Sequence, residues 1–216
     1  MSKEYLPSFV KRLGRITESQ KNNLKSLSSY QVNSLSDCSD FIGNSEAILD
    51  IGFGDGDFTI FLADQFENHK IIASEVYKSG IGSLVGKLKS NSVDSVKIFD
   101  GDIRDLIVAS DKPLFDKVFV MFPDPWQKAR HHKRRLINPF FFKVLKPHLK
   151  KDAEIFISTD WDNYAEAIRE LQDIVNHFSF TEGQYPETSF VTRFAKRAAQ
   201  EGRTITNFKI SFLKFF

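Results

Sequence analysis

The sequence predicts an α/β domain whose sheet is mostly parallel and covered by helices on both faces. Three observations carry this. From residue 46 onward, short apolar runs of strand length alternate with amphipathic runs of helical length. The first strand run passes directly into a glycine-rich turn and then a helical pattern, the opening of a βαβ unit. No repeat or linker divides the 216 residues, a length that suits one such domain.

The elements follow in order. Residues 1–45 hold few regular apolar positions and many Ser, Asn and Lys, so they read as a partly ordered basic arm, with a short helix within 16–30 where Leu24, Leu27 and Tyr30 fall at helical spacing. The domain proper is expected to span 46–216. Residues 46–51 (EAILDI) form a buried strand, and 57–66 a helix with Phe58, Phe61, Leu62 and Phe66 on one face. Strands follow at 71–76, 95–100, 117–122 and 153–159, with helices at 77–90, 136–149 and 161–178. Residues 204–216 (TITNFKISFLKFF) read as an antiparallel terminal strand.

Composition narrows the function class. The net charge is only +2, so the chain as a whole lacks the basic signature of a nucleic-acid binder. The distribution says more, because cations gather at 11–15, 128–135 and 193–203. Cys38 is the single cysteine and lies in a polar stretch without a nearby His, which fits a reducing compartment and gives it no catalytic role. No apolar run approaches the roughly 18 residues of a membrane span, and no signal peptide is evident, so a cytoplasmic protein is expected.

The glycine turn, Asp50-Ile-Gly52-Phe-Gly54-Asp-Gly56, differs from the dinucleotide fingerprint in its spacing and is ringed by Asp50, Asp55 and Asp57. Carboxylates there repel a pyrophosphate and attract an ammonium or sulfonium group. The ligand that fits is S-adenosylmethionine. Glu75 ends the second strand, where an acid accepts from ribose hydroxyls, and Asp102 follows the third strand at the adenine end.

The fourth strand breaks at Pro123-Asp124-Pro125-Trp126, where prolines on both sides hold the carboxylate. The densest cationic stretch follows: Lys128, Arg130, Lys133, Arg134 and Arg135, with His131 and His132. Adjacent histidines without spaced partners do not suggest a metal. A carboxylate beside a polycation reads as a reaction site beside a polyanion site.

The motifs DIGFGDG, EVY at 75–77, FPDPWQKARHHKRR at 122–135, STDW at 158–161 and SFVKRLGRIT at 8–17 together resemble the bacterial tRNA (guanine-N7-)-methyltransferase family over nearly the whole chain. The resemblance implies a class I methyltransferase (Rossmann-like), doubly wound, seven-stranded fold with an antiparallel C-terminal strand. It implies methyl transfer from S-adenosylmethionine to N7 of a guanosine in the tRNA variable loop, position 46. By matched position, Asp50, Gly52, Gly54, Glu75, Asp102 and Asp124 would contact the methyl donor, Asp124 as the catalytic residue, and Lys128 and Asp160 the substrate. The family's Thr-x-x-Glu segment, followed by a basic residue, is matched at Thr188 and Arg193, with Val191 in place of the acid.

Arg12, Arg15, Arg130, Lys133, Arg134 and Arg135 are then expected on the tRNA backbone. For the arm, a disordered tail and a segment that folds onto phosphates both remain open. For Asp160, a helix cap is the alternative to a guanine contact. Residues 193–203 read equally well as a second RNA-contacting loop or as solvated surface. No metal, membrane or obligate protein partner is expected, and the chain acts as a monomer or homodimer. The competing functions are methylation of a small molecule or protein, and RNA binding without catalysis.

Overall fold

The computed structural model describes residues 5–10, 15–108 and 112–213. Its elements are α1 (Glu18–Leu24), β1 (Gln31–Val32), α2 (Leu35–Ile42), β2 (Glu46–Ile51), α3 (Asp57–Gln65), β3 (His69–Glu75), α4 (Lys78–Ser90), β4 (Val96–Asp100), α5 (Ile103–Ile107), β5 (Phe115–Met121), α6 (Pro139–Leu145), β6 (Leu149–Thr159), α7 (Asp162–Ile174), β7 (Phe178–Glu182), α8 (Arg193–Gln200) and β8 (Thr206–Phe212). They build one sheet in the order β1-β4-β3-β2-β5-β6-β8-β7. All pairings are parallel except those of β8, which runs antiparallel to both β6 and β7.

The buried strands carry the pattern that parallel sheets require. Ile48, Leu49, Ile71, Ile72, Val118, Phe119, Ile155 and Phe156 are fully buried, so both faces of the central strands are covered. One face packs against α2, α5, α6 and α7, the other against α3 and α4. Helices α2, α6 and α8 start at side-chain caps: Ser34, Asn138 and Thr192 each accept from the backbone N–H three residues on.

The sheet has eight strands rather than seven. The additional strand is β1, two residues at the edge, with Gln31 and Val32 registered against Ile98 and Phe99 of β4. It lies in the segment that composition groups with the arm. Leu27, Val32, Leu35, Cys38 and Ile42 of that segment are buried. Asn23 donates to the Gly82 carbonyl at 3.0 Å, fixing α1 on α4. Cys38 sits in the core, where burial pushes its thiol up to about 12 and keeps it protonated.

The chain runs outward from β2 through β3 to β4, then returns across the sheet to β5. Strand order therefore reverses between β2 and β5. Open α/β sheets bind ligands at the carboxyl ends of the strands flanking such a reversal. The residues after β2 are the glycine turn, and those after β5 are Phe122 to Trp126.

Candidate active site

Two contiguous hollows form one crevice at that reversal. Gly52, Gly54, Glu75, Tyr77, Met121, Phe122 and Phe194 border both. Asp50, Asp55 and Arg193 complete the first, while Asp102, Pro123 and Asp124 complete the second.

Gly52 and Gly54 have φ of +72° and +63°, a region that side chains rarely adopt, and a Cβ on either would meet nothing. The turn thus offers bare backbone to the crevice. The loop is fixed from behind. Gly54 N–H donates to Glu75 Oε2 at 3.0 Å, and Val76 and Tyr77 N–H donate to Oε1 at 2.6 and 3.0 Å. Three bonds occupy three of about four acceptor positions on the carboxylate, leaving Oε2 one for a ligand hydroxyl. Burial raises the Glu75 pKa against these backbone bonds, and the Asp124 charge adds to the rise.

Asp50 lies at the end of β2, 1% exposed, and accepts from the Thr59 hydroxyl at 2.7 Å. Burial pushes its carboxyl up to about 7, with Thr59 opposing and the Glu75 charge contributing. Thr59 is a site residue that sequence reading misses, because a Thr within a helix carries no distinguishing signal.

The other two acids of the turn are differently placed. Asp57 pairs with Lys87, whose ammonium also donates to the Asp55 carbonyl at 2.7 Å, and Arg193 Nη1 stands 3.3 Å from the Asp55 carboxylate. Asp55 and Asp57 thus line the first hollow with Asp50 but each is paired with a cation, while Glu75 borders both hollows and Asp124 the second. Asp102 lines the crevice, but its carboxylate is held by Arg104, with Nε to Oδ1 at 2.9 Å and Nη2 to Oδ2 at 2.6 Å. Arg104 is 1% exposed and its guanidinium stacks on Tyr5, 3.9 Å from the ring centre.

Asp124 sits at the lip, exposed, between two strained residues. Phe122 and Trp126 have φ of +54° and +47°, rare for bulky side chains. Three bonds hold this turn: Phe122 N–H to Ser158 O at 2.8 Å, Trp126 Nε1 to Ser8 O at 3.0 Å, and Arg135 Nε to Pro125 O at 2.9 Å.

The last of these corrects the assignment of Arg135 to the tRNA backbone. Arg135 is 4% exposed, donates to the Asn163 carbonyl and side-chain oxygen at 3.2 and 2.7 Å, and stacks on Tyr164. It ties the Asp124 turn to α7. The run Ala129–Arg134 is a 3₁₀ helix, which spreads its side chains around the axis. Lys128, Arg130 and Lys133 are exposed, while Arg134 covers the Trp126 ring at 5.0 Å. Arg135→Ala is expected to lower stability by about 2–4 kcal/mol, since buried charged-donor bonds are lost. Arg130→Ala should leave stability unchanged and reduce the log–log salt slope of tRNA binding by roughly 0.9. Thermal melts and salt titrations on the two variants check both. An Arg135→Ala protein with an unshifted melt and a reduced slope refutes this division.

The remaining residues are distributed as follows. Asp160 is not a cap: Trp161 holds that position in α7, and Asp160 pairs instead with Arg203 at 3.1 Å. Thr188 lies in an adjoining hollow with its hydroxyl donating to Tyr185 O at 3.1 Å, whereas Thr192 lines the crevice between Phe190 and Arg193. The Thr-x-x-x segment that faces the crevice is therefore Thr192–Ala195, and it too lacks the acid. Arg15 is exposed, and Arg12 lies outside the described residues. Among the described residues no cluster of His, Cys, Asp or Glu could hold a metal, and no helix is long and apolar enough to cross a membrane.

Residues 44–208 match a family model described as a putative methyltransferase. The chain is 35% identical over 210 residues to the tRNA (guanine-N(7)-)-methyltransferase of Nitrosococcus oceani, covering 93% of this chain and 88% of the relative. Its identity to the enzyme of the same name from Buchnera aphidicola is 36% over 210 residues, covering 92% and 87%. Solved structures share the fold. One is an antibiotic-related methyltransferase (TM-score 0.58, 16% identity, 84% of this chain and 96% of that one). Another is an rRNA methylase from Streptococcus thermophilus (TM-score 0.52, 14% identity, 85% and 98%).

Proposed function

Since the chain belongs to the tRNA (guanine-N(7)-)-methyltransferase family and methylates guanosine N7 in tRNA from S-adenosylmethionine, we propose that its target is the variable-loop guanosine at position 46 and that the crevice residues divide the work as follows. The observation that carries this reading is the meeting of a bare glycine turn, a fixed acceptor and a rigid exposed carboxylate at the strand-order reversal.

The residues present fit S-adenosylmethionine. Asp50 and the backbone of Gly52 and Gly54 would hold the charged methionine end, Glu75 the ribose, and Asp102 the adenine end. Bound there, S-adenosylmethionine supplies an electrophilic methyl group on a sulfonium. The N7 lone pair of guanine takes the methyl carbon while the sulfur keeps the bonding pair, so the ring becomes cationic and N7 has no proton to lose. No strong base is required, and the gain comes from placement and charge. Asp124 accepts from the N1–H and N2–H₂ edge and offsets the charge the ring acquires. Lys128, Asp160, Arg193 and Thr192 border the substrate side, with Thr192 replacing Thr188 in that role. Arg15, Arg130, Lys133 and Arg134 meet the tRNA backbone. The protein works in the cytoplasm as a monomer or homodimer.

A pH effect follows from Asp50. A cation beside it favours the ionised form, so S-adenosylmethionine binding is expected to release a proton near neutrality and to tighten as pH rises through about 7. In the unliganded protein the folded pKa is raised above its ordinary 3.8. That contribution to stability is full below 3.8 and is lost as pH rises through about 7. Calorimetric titration around pH 7 in two buffers of different ionisation enthalpy reads the proton. Equal heats in both buffers count against Asp50 as the cation's partner, and Asp50→Asn should equalise them.

The reading as a whole is tested with tRNA transcripts bearing guanosine or adenosine at position 46. Incorporation should follow the guanosine, and equal labelling of both transcripts excludes that target.

A further inference from the structure

Phe194 is the second residue of α8 and 47% exposed, although it borders a concave site rather than open surface. It lines both halves of the crevice, beside Glu75 and Gly54 in each and beside Asp124 in one. Its neighbour Phe190 also lines the first half but is half-buried, packing on Phe58 and Phe61. Phe194 has no such burial.

What it has is a fixed seat. Its ring lies close to parallel with Phe122, with centroids 6.1 Å apart and planes 17° apart. Phe122 is in turn immobilised by its bond to Ser158, its left-handed backbone and the proline that follows. The start of α8 is capped by the Thr192 hydroxyl, which accepts from Ala195 N–H at 3.1 Å, and Ala195 and Ala198 are buried beneath the helix. An aromatic ring held from behind, 47% exposed and lining both halves of the crevice, is arranged as a stacking platform for a purine. Every base offers a π face to such a ring.

We propose that Phe194 is the platform on which the target guanine stacks in the methyl-transfer complex. This rests on the guanine-N7 reading above. The platform also acts in the chemical step, because transfer leaves positive charge on the guanine ring and an aromatic face attracts a cation.

The test compares wild type with Phe194→Leu, which keeps apolar bulk without a π face, and Phe194→Tyr, which keeps the ring. Single-turnover methylation of an unmodified tRNA transcript is measured with S-adenosylhomocysteine affinity on the same proteins. The Leu variant should lose roughly tenfold to a hundredfold in kcat/KM, the size carried by one aromatic–base stack. The Tyr variant should restore it, and S-adenosylhomocysteine affinity should stay unchanged in both. A transcript with 2-aminopurine at the target position should be quenched on binding wild type and Tyr variant, but not the Leu variant. Wild-type rates or equal quenching with Leu overturn the proposal. So does a rate loss that merely tracks weaker S-adenosylhomocysteine binding, which makes Phe194 a donor-side contact. A wild type that leaves N7 unmethylated overturns the underlying reading instead, and the quenching comparison still judges the stack.

Discussion

Gly80→Ala is expected to cost the protein roughly tenfold or more in affinity for S-adenosylmethionine. In an ordinary helix interior the same change stabilises, by about 0.5–1 kcal/mol. Here a Cβ would fall inside the contact distance of the Gly54 carbonyl oxygen and 3.3 Å from Glu75 Cγ. The first of these is backbone, so no rotamer relieves the clash and the glycine turn itself has to shift. That shift breaks the 3.0 Å bond from Gly54 N–H to Glu75, which orients the acceptor. Overpacking of this kind costs about 1–3 kcal/mol, or about fivefold to a hundredfold in binding. Titration with S-adenosylhomocysteine checks it, and an alanine variant with unchanged affinity removes Gly80 from the account.

Asp124→Asn should lower the single-turnover rate about a hundredfold, the scale of one preorganised electrostatic contact, while tRNA and S-adenosylhomocysteine still bind. The turn that carries Asp124 is held by bonds that do not involve its side chain: Phe122 to Ser158, Trp126 to Ser8 and Arg135 to Pro125. Asparagine therefore keeps the geometry. It removes the charge that offsets the guanine cation, and half of its amide donates where the guanine edge also donates. An Asn variant that turns over at the wild-type rate contradicts the assignment, and one that loses tRNA binding instead gives Asp124 a binding role.

Much of this was readable from the chain. Buried parallel strands announce themselves as continuous apolar runs, so β2, β3, β4, β5 and β6 and the residues at their carboxyl ends could be located. Asp50, Glu75 and Asp124 stand out because they end such runs. What stayed hidden depends on tertiary direction. A charge run shows how many cations are present but not where each points, so Arg135 was indistinguishable from Arg130. The two-residue β1 is defined by β4 rather than by its own sequence. Gly80 looks like any helical glycine until Gly54 is set against it. Two threonines four residues apart compete for one motif, and only the placement of α8 favours Thr192. That Asp55 and Asp57 line the crevice already paired with Arg193 and Lys87 could not be read from the chain.

The most direct test incubates the protein with S-adenosylmethionine labelled in its methyl group and tRNA lacking the modification, then maps the label to atom and nucleotide. Label is expected on N7 of guanosine 46 in the variable loop, with the rate collapsing in Asp124→Asn. Label on another atom or another nucleotide, or none while S-adenosylmethionine demonstrably binds, would contradict that assignment.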